Sequence, residues 1–112
     1  MHFNLKQEYF ESILSGTKTA EGRIYKPKLH HVKVGDLVSF SPHDIPTETL
    51  KAKVTYIKLY DTFQHMLQDG EIEVLLPDCN DIEKGVKLYE SFGNFKNDQY
   101  EHGVVSIGFK II

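Results

Sequence analysis

The chain has 112 residues, of which 40% are hydrophobic and 26% are charged, and these values indicate one globular domain spanning residues 1–112. A net charge of −3 and an isoelectric point near 6.0 argue against a positively charged surface that binds long nucleic acids. A local basic pocket is compatible with these values, and we expect any nucleic acid or nucleotide ligand to bind at a confined site. The single cysteine, Cys79, excludes an internal disulfide. No apolar run approaches the roughly 18 residues that cross a bilayer, and no leader-like segment opens the chain, so we expect a cytoplasmic protein.

The first half of the chain predicts one helix followed by short strands. Apolar residues recur at helical spacing within residues 7–15, and Gly16 follows at a position where helices commonly end. The composition of residues 17–25 favours a strand, in which Gly22 is expected to mark a bulge. A turn then precedes another predicted strand over residues 37–40.

The second half predicts a long strand, two helical regions and a final strand. Residues 50–60 alternate in polarity, which is typical of a strand. Capping-box spacing places helix starts near Asp61 and Asn80, residues 93–103 are polar and loop-like, and the apolar residues 104–112 predict the last strand. Short strands without regular strand–helix alternation predict an α+β fold. We expect a mixed, mostly antiparallel curled sheet or small β-barrel with flanking helices.

Motifs for metal, cofactor or nucleophilic chemistry are missing from the sequence. The adjacent His30 and His31 point to opposite faces of any strand, and no HxxxH, HExxH or Cys/His cluster is present. The chain also lacks a Walker loop, a GxGxxG turn and a GxSxG elbow. We therefore expect neither a metal nor a cofactor.

Three ionisable residues of both signs, Lys18, Glu21 and Arg23, follow the first predicted helix within six positions. In an ideal strand Glu21 and Arg23 share a face, and Lys18 joins them only at the strand entry or across a bulge. The plainest interpretation is a solvated salt bridge worth about 0–1 kcal/mol. The alternative is a site, because lysine and arginine side by side can hold a phosphate or carboxylate.

The spacing Gly16-x-Lys18-x-x-Glu21-x-Arg23 matches the GxKxxExR signature of the ASCH domain, the activating-signal-cointegrator homology domain of the PUA-like superfamily. Flanking blocks also resemble a small bacterial and archaeal branch of this family in order, among them VKVGDLVSF, LYDTFQHML and GVKLYESF. The resemblance spans about residues 3 to 110. It implies a PUA-like β-barrel with helices beside it and a cleft bordered by the signature strand.

The resemblance also implies RNA, nucleotide or nucleoside binding, and it leaves open whether the chain is an enzyme. One subgroup removes the acetyl group of N4-acetylcytidine with a threonine, a lysine and a glutamate, and other members are linked to ribonuclease activity. Carried over by position, the lysine corresponds to Lys18, and the glutamate to Glu71 or alternatively Glu73. Glu21 stands where the subgroup has its threonine, which removes the nucleophile of that mechanism.

Three functional hypotheses follow. In a binding module, Lys18, Glu21 and Arg23 recognise the ligand, while Tyr25 and Tyr60, near predicted strand ends, stack on a base. In a hydrolase acting on a modified nucleoside or on RNA, Lys18 serves as base or oxyanion partner and Glu21 or Glu71 activates water. In a purely structural role, Glu21 and Arg23 attach the barrel to the first helix.

Overall fold

Five β-strands form one curled sheet in the computed structural model, which describes residues 1–112. The strands are β1 (His2–Leu5), β2 (Ala20–Ile24), β3 (Leu37–Pro42), β4 (Leu50–Tyr60) and β5 (Val104–Ile111). Their order in the sheet is β1-β3-β4-β5-β2, and only β1 and β3 run parallel. The α+β class and the mixed, mostly antiparallel sheet are therefore confirmed.

The sheet curls into a half-barrel that does not close, since β1 and β2 are its two edges and do not pair as strands. Their edges nevertheless approach each other, because Nη2 of Arg23 on β2 donates a hydrogen bond of 3.2 Å to the Asn4 carbonyl on β1. We call this gap between β1 and β2 the seam. An unpaired edge leaves backbone groups free, so side chains have to fill the space that strand pairing would occupy.

Four helical segments pack beside the sheet. They are α1 (Gln7–Ser15), a bent segment made of α2 (Phe63–Met66) and α3 (Ile72–Leu75) joined by a π turn at Leu67–Glu71, α4 (Ile82–Glu90) and α5 (Phe95–His102). A short 3₁₀ turn, Pro27–Leu29, follows β2. None of the helices combines the length and the apolar character needed to cross a membrane.

Two apolar clusters lie on opposite sides of the sheet. A cluster of 12 buried residues fills the half-barrel, and one of 9 lies under the helices. Strand β2 contributes Ala20 and Ile24 to the second cluster, and its alternate residues Glu21 and Arg23 project to the other side. The polar residues of β2 therefore lie where the sheet is open.

The strongest sequence patterns gave the correct elements. Helix α1 spans the predicted residues, with Gly16 in the left-handed conformation (φ 88°), and β4 has its predicted bounds. The prediction of a loop over residues 93–103 is wrong, because α5 lies there. Its Gln99 side chain is buried, accepts a hydrogen bond from the Phe63 backbone and donates one to Glu90. Tertiary contacts thus stabilise a helix whose own sequence is polar.

Three local details also differ from expectation. Strand β1, which was not predicted, pairs in parallel with β3 and buries Phe3 and Leu5 in the core. The helix caps are the neighbouring residues Thr62 and Asp81, whose side chains accept hydrogen bonds from His65 and Lys84. Gly22 lies in regular pairing with Ser106, and the register shift of the sheet falls between Val54 and Tyr56 of β4.

Candidate ligand-binding site

A cavity of about 230 Å³ opens at the seam. One side comes from the end of β1 and the residue that follows it, the other from β2 and the residue Lys18 before it, and aromatic side chains from the helices close it. The lining residues are Asn4, Leu5, Lys6, Tyr9, Lys18, Glu21, Gly22, Arg23, His43, Leu76, Tyr89, Phe92 and Phe95. We call it the seam cavity. It brings together Lys18, Glu21 and Arg23, the three residues that the sequence singled out.

Lys18 lies at the entry to β2, and its ammonium group is fully engaged. Nζ donates hydrogen bonds to the carbonyls of Ala20 (2.8 Å) and Leu75 (2.6 Å) and lies 3.2 Å from Oε1 of Glu21. These three acceptors match the three N–H groups of a protonated lysine. Burial lowers the pKa of Lys18, and Glu21 opposes that change. Lys18 therefore holds β2, α3 and Glu21 together and has no free hydrogen for a ligand.

Glu21 is a buried carboxylate between two cations. Its Oε1 faces Lys18 and its Oε2 accepts a hydrogen bond of 2.7 Å from Nε of Arg23, while 8% of its side chain is exposed. Burial alone would raise the pKa of Glu21, but Lys18 and Arg23 hold the pKa below its ordinary value of 4.5. Glu21 is therefore ionised at neutral pH. Each oxygen retains acceptor capacity beyond these contacts, because a carboxylate oxygen accepts about two hydrogen bonds.

Arg23 spans the seam and is the only arginine of the chain. Nε binds Glu21, Nη2 binds the Asn4 carbonyl, and the guanidinium lies 5.0 Å from the centre of the Phe3 ring. Nη1 makes no hydrogen bond within the protein, and 28% of the side chain is exposed. Arg23 therefore joins the two edge strands β2 and β1 and forms no hydrogen bond with α1, and it lines the seam cavity while retaining N–H groups without a partner in the protein.

Four aromatic rings line the seam cavity, contributed by Tyr9, Tyr89, Phe92 and Phe95. Phe92 lies edge-on to both Tyr89 and Phe95, at centroid distances of 6.3 and 5.9 Å. Burial, together with the charges of Glu8 and Glu21, raises the pKa of Tyr9 to about 12, and burial likewise raises that of Tyr89. Neither hydroxyl forms a hydrogen bond within the protein.

Gly22 makes room for this arrangement. A Cβ atom at Gly22 would lie 2.7 Å from the Tyr89 hydroxyl oxygen and 3.1 Å from Cε of Met66, closer than ordinary contact. The glycine is therefore required for the approach of the Tyr89 ring to β2 and not for a bulge. Tyr89 lines the seam cavity together with Glu21 and Gly22.

Glu71, the other glutamate expected from the resemblance, lies apart from the seam cavity. Its Oε1 accepts hydrogen bonds from the hydroxyls of Tyr56 (2.9 Å) and Ser106 (2.7 Å), and its Oε2 lies 3.6 Å from Nζ of Lys58. Burial and this carboxylate raise the pKa of Tyr56 to about 12. Glu71 does not line the seam cavity, and the alternative Glu73 is exposed on α3.

Tyr25 and Tyr60 do not line the seam cavity either. Both lie in a separate surface groove with Leu59 and Tyr100. The Tyr25 ring packs on His30 at a centroid distance of 4.3 Å, and the Tyr60 hydroxyl donates a 2.6 Å hydrogen bond to Asp69. Neither ring is therefore positioned to stack on a base held beside Glu21 and Arg23.

The aromatic residues of the seam cavity were not identified from the sequence. Tyr89, Phe92 and Phe95 recur at intervals of three from the end of α4 to the start of α5, and this regular spacing was the available signal. This spacing is also that of an ordinary buried helix face, so it does not by itself distinguish a binding cavity from a core. No group of three or more His, Cys, Asp or Glu side chains is arranged to hold a metal ion.

Comparisons with known proteins agree with this architecture. Hypothetical protein PH0355 has a crystal structure similar to this chain, with 37% identity, a TM-score of 0.86 and coverage of 99% of this chain and 97% of that one. Protein PF0455 from Pyrococcus furiosus, solved by NMR, has 32% identity and a TM-score of 0.77, with coverage of 100% and 98%. ASCH from Zymomonas mobilis shares the fold at 14% identity and a TM-score of 0.66, over 97% of this chain and 65% of that chain.

No curated protein matches the chain. The family model described as the ASCH domain matches residues 3–112, which include the signature residues of the seam cavity and all five strands except His2 at the start of β1. The chain therefore belongs to the ASCH domain family.

Proposed function

We propose that this chain is a binding module that holds one base of RNA, or a nucleotide or nucleoside, in the seam cavity. ASCH domains are generally associated with RNA binding. The observation that carries the proposal is a buried, ionised carboxylate, Glu21, fixed by two cations beside four aromatic rings in one cavity.

The size of the seam cavity favours a small ligand. Pockets for drug-sized molecules have volumes of about 300–1,000 Å³. The seam cavity, at about 230 Å³, is smaller and suits a single base with part of its sugar. A double helix is too wide for such a cavity, so the ligand is a free nucleotide or nucleoside, or an unpaired base of a single strand.

The polar groups favour a ligand that donates hydrogen bonds to Glu21. A fixed carboxylate accepts from amino groups such as N4 of cytosine. Arg23 and the hydroxyls of Tyr9 and Tyr89 can donate to the carbonyl oxygens and ring nitrogens of the same base. Base-selective RNA recognition commonly combines such edge contacts with stacking on aromatic rings. Phe92 and Phe95 supply aromatic surface here.

The hydrolase alternative has less support from the geometry. Lys18 would have to give up hydrogen bonds to Ala20 and Leu75 before it could act as a base. Glu71 is bound to Tyr56 and Ser106 and does not line the seam cavity. Glu21 occupies the position of the threonine nucleophile. Recognition without chemistry therefore accounts for more of the observed contacts.

The proposal is tested by calorimetric titration of the four common nucleosides, their monophosphates and short single-stranded RNAs. We expect at least one ligand to bind, and Arg23→Ala to weaken it by about tenfold or more, since hydrogen bonds to charged groups contribute about 1.5–3 kcal/mol. The control is Lys53→Ala, which changes an exposed position of β4 and should leave ligand binding unchanged. An unchanged affinity in Arg23→Ala, or no binding of any ligand, would reject the proposal.

A further inference from the structure

A second, smaller cavity of about 100 Å³ adjoins the seam cavity. The two share Arg23 and Phe95 as lining residues, so these side chains separate them. The second cavity follows the same seam, between the start of β1 and the segment from β2 to the 3₁₀ turn, and it includes Lys26 and Lys28. We call it the lysine cavity.

Positive charge is concentrated along these two cavities in a chain whose net charge is −3. Among the lysine, arginine and carboxylate side chains that line them, only Glu21 is anionic, and it is paired twice. The cationic members are Lys6, Lys18, Arg23, Lys26 and Lys28. The overall acidity of the protein therefore does not extend to the seam.

The cations of the lysine cavity are only partly neutralised. Nζ of Lys26 lies 3.5 Å from Oδ2 of Asp98, with 46% of the lysine side chain exposed. Lys28 forms no ion pair and is exposed, and Nη1 of Arg23 makes no hydrogen bond. The lysine cavity thus offers two lysines and an arginine edge to an anion. Its volume is less than half that of the seam cavity, which suits a tetrahedral anion better than a second base.

We propose that the natural ligand carries a phosphate that occupies the lysine cavity while its base occupies the seam cavity. The inference rests on the function proposed above and narrows it, from any base-bearing ligand to a nucleotide or a phosphodiester of single-stranded RNA. Arg23 lies between the two cavities and contacts both parts of the ligand. An arginine fork and lysine point charges are the groups that proteins use for phosphate.

The test compares ligands that differ only in phosphate. Calorimetric dissociation constants are measured for each nucleoside, its 3′- and 5′-monophosphates and the dinucleoside monophosphates, at low and high salt. We expect phosphate to strengthen binding by about tenfold or more, the gain that one or two charge-assisted hydrogen bonds provide. If mononucleotides bind more tightly than nucleosides, the lysine cavity holds a terminal phosphate. If only dinucleoside monophosphates bind more tightly, it holds a phosphodiester.

Matched variants locate the phosphate. The double variant Lys26→Ala/Lys28→Ala should lose most of the gain while binding the nucleoside as the wild type does. Its control, Lys51→Ala/Lys53→Ala, removes the same charge from exposed positions of β4 and should keep the gain. Equal binding of nucleosides and nucleotides would overturn the inference but leave the proposed function standing. The inference would also be overturned if Lys6→Ala, and not Lys26→Ala/Lys28→Ala, lost the increase in affinity that phosphate provides. Failure of every ligand to bind would reject both.

Discussion

Nζ of Lys18 lies 3.2 Å from Oε1 of Glu21, and both side chains are almost completely buried. The signature lysine and glutamate thus form an internal ion pair at the entry to β2, and Arg23 extends it to the open edge of the sheet. This arrangement indicates a different role for each of the three charged signature residues. Lys18 orders the site, and in the proposed function Glu21 accepts hydrogen bonds from the ligand and Arg23 donates to it.

The first prediction concerns stability. Lys18→Met should lower the free energy of unfolding by about 3–5 kcal/mol, because it leaves a buried carboxylate with one partner fewer. The carbonyls of Ala20 and Leu75 also lose their donor. Urea denaturation measures the change.

Lys87→Met is the matched control, since its pair with Glu83 is exposed and should contribute about 0–1 kcal/mol. If Lys18→Met is too unstable to study, Lys18→Met/Glu21→Gln should be more stable than the single variant, because no buried carboxylate is left without its lysine, and the remaining charge of Arg23 is partly exposed. Equal losses in Lys18→Met and Lys87→Met would contradict this account.

The second prediction concerns acid. Lys18 and Arg23 hold the pKa of Glu21 below 4.5 in the folded state, so the unfolded chain binds a proton at higher pH than the native protein does. The contribution of Glu21 to stability is therefore complete above pH 4.5 and is lost as the pH falls through the native pKa. Urea denaturation from pH 7 to pH 3 should show this loss, and Glu21→Gln should remove that part of the pH dependence. An identical slope in both proteins would contradict the ionised state of Glu21.

The third prediction concerns the space above Gly22. Gly22→Ala should destabilise the protein by about 1–3 kcal/mol, the usual cost of an inserted methyl group in a packed region. It should also weaken ligand binding, because Tyr89 has to move away from β2. Tyr89→Phe removes the nearest atom, so Gly22→Ala should cost less in that background. Additive effects of the two substitutions would show that Gly22 does not act through Tyr89.

The fourth prediction concerns chemistry. We expect no release of acetate from N4-acetylcytidine and no cleavage of short RNAs, because Lys18 has no free hydrogen and Glu71 lies outside the seam cavity. Chromatography of the reaction products provides the measurement. Turnover by the wild type that disappears in a folded Lys18 variant would favour the hydrolase hypothesis instead.

Local patterns in the sequence were sufficient for part of the fold. The α1 periodicity and the alternation in β4 are strong enough to define their elements without the rest of the chain. Helix α5 and strand β1 were not predictable in this way. Gln99 stabilises α5 through contacts with α2 and α4, and β1 forms only against β3.

The candidate site was also predictable only in part, where its residues are close together in the sequence. Lys18, Glu21 and Arg23 belong to one short segment, so their spacing identified them as a group before the fold was known. Tyr9, Tyr89, Phe92 and Phe95 come from elements far apart in sequence and meet only when the half-barrel and helices pack. Tyr25 and Tyr60 were chosen for their positions near strand ends, and the curl of the sheet carries them to another groove.

The central claim is that the seam cavity holds the base of the ligand, and an NMR titration of isotope-labelled protein tests it most directly. The nucleoside monophosphate that binds most tightly by calorimetry is added while backbone amide and tyrosine ring signals are followed. The account predicts saturable shifts at Glu21, Gly22, Arg23 and Tyr89, and none at Tyr60. Shifts confined to the groove of Tyr25 and Tyr60, or none at saturating nucleotide, would contradict it.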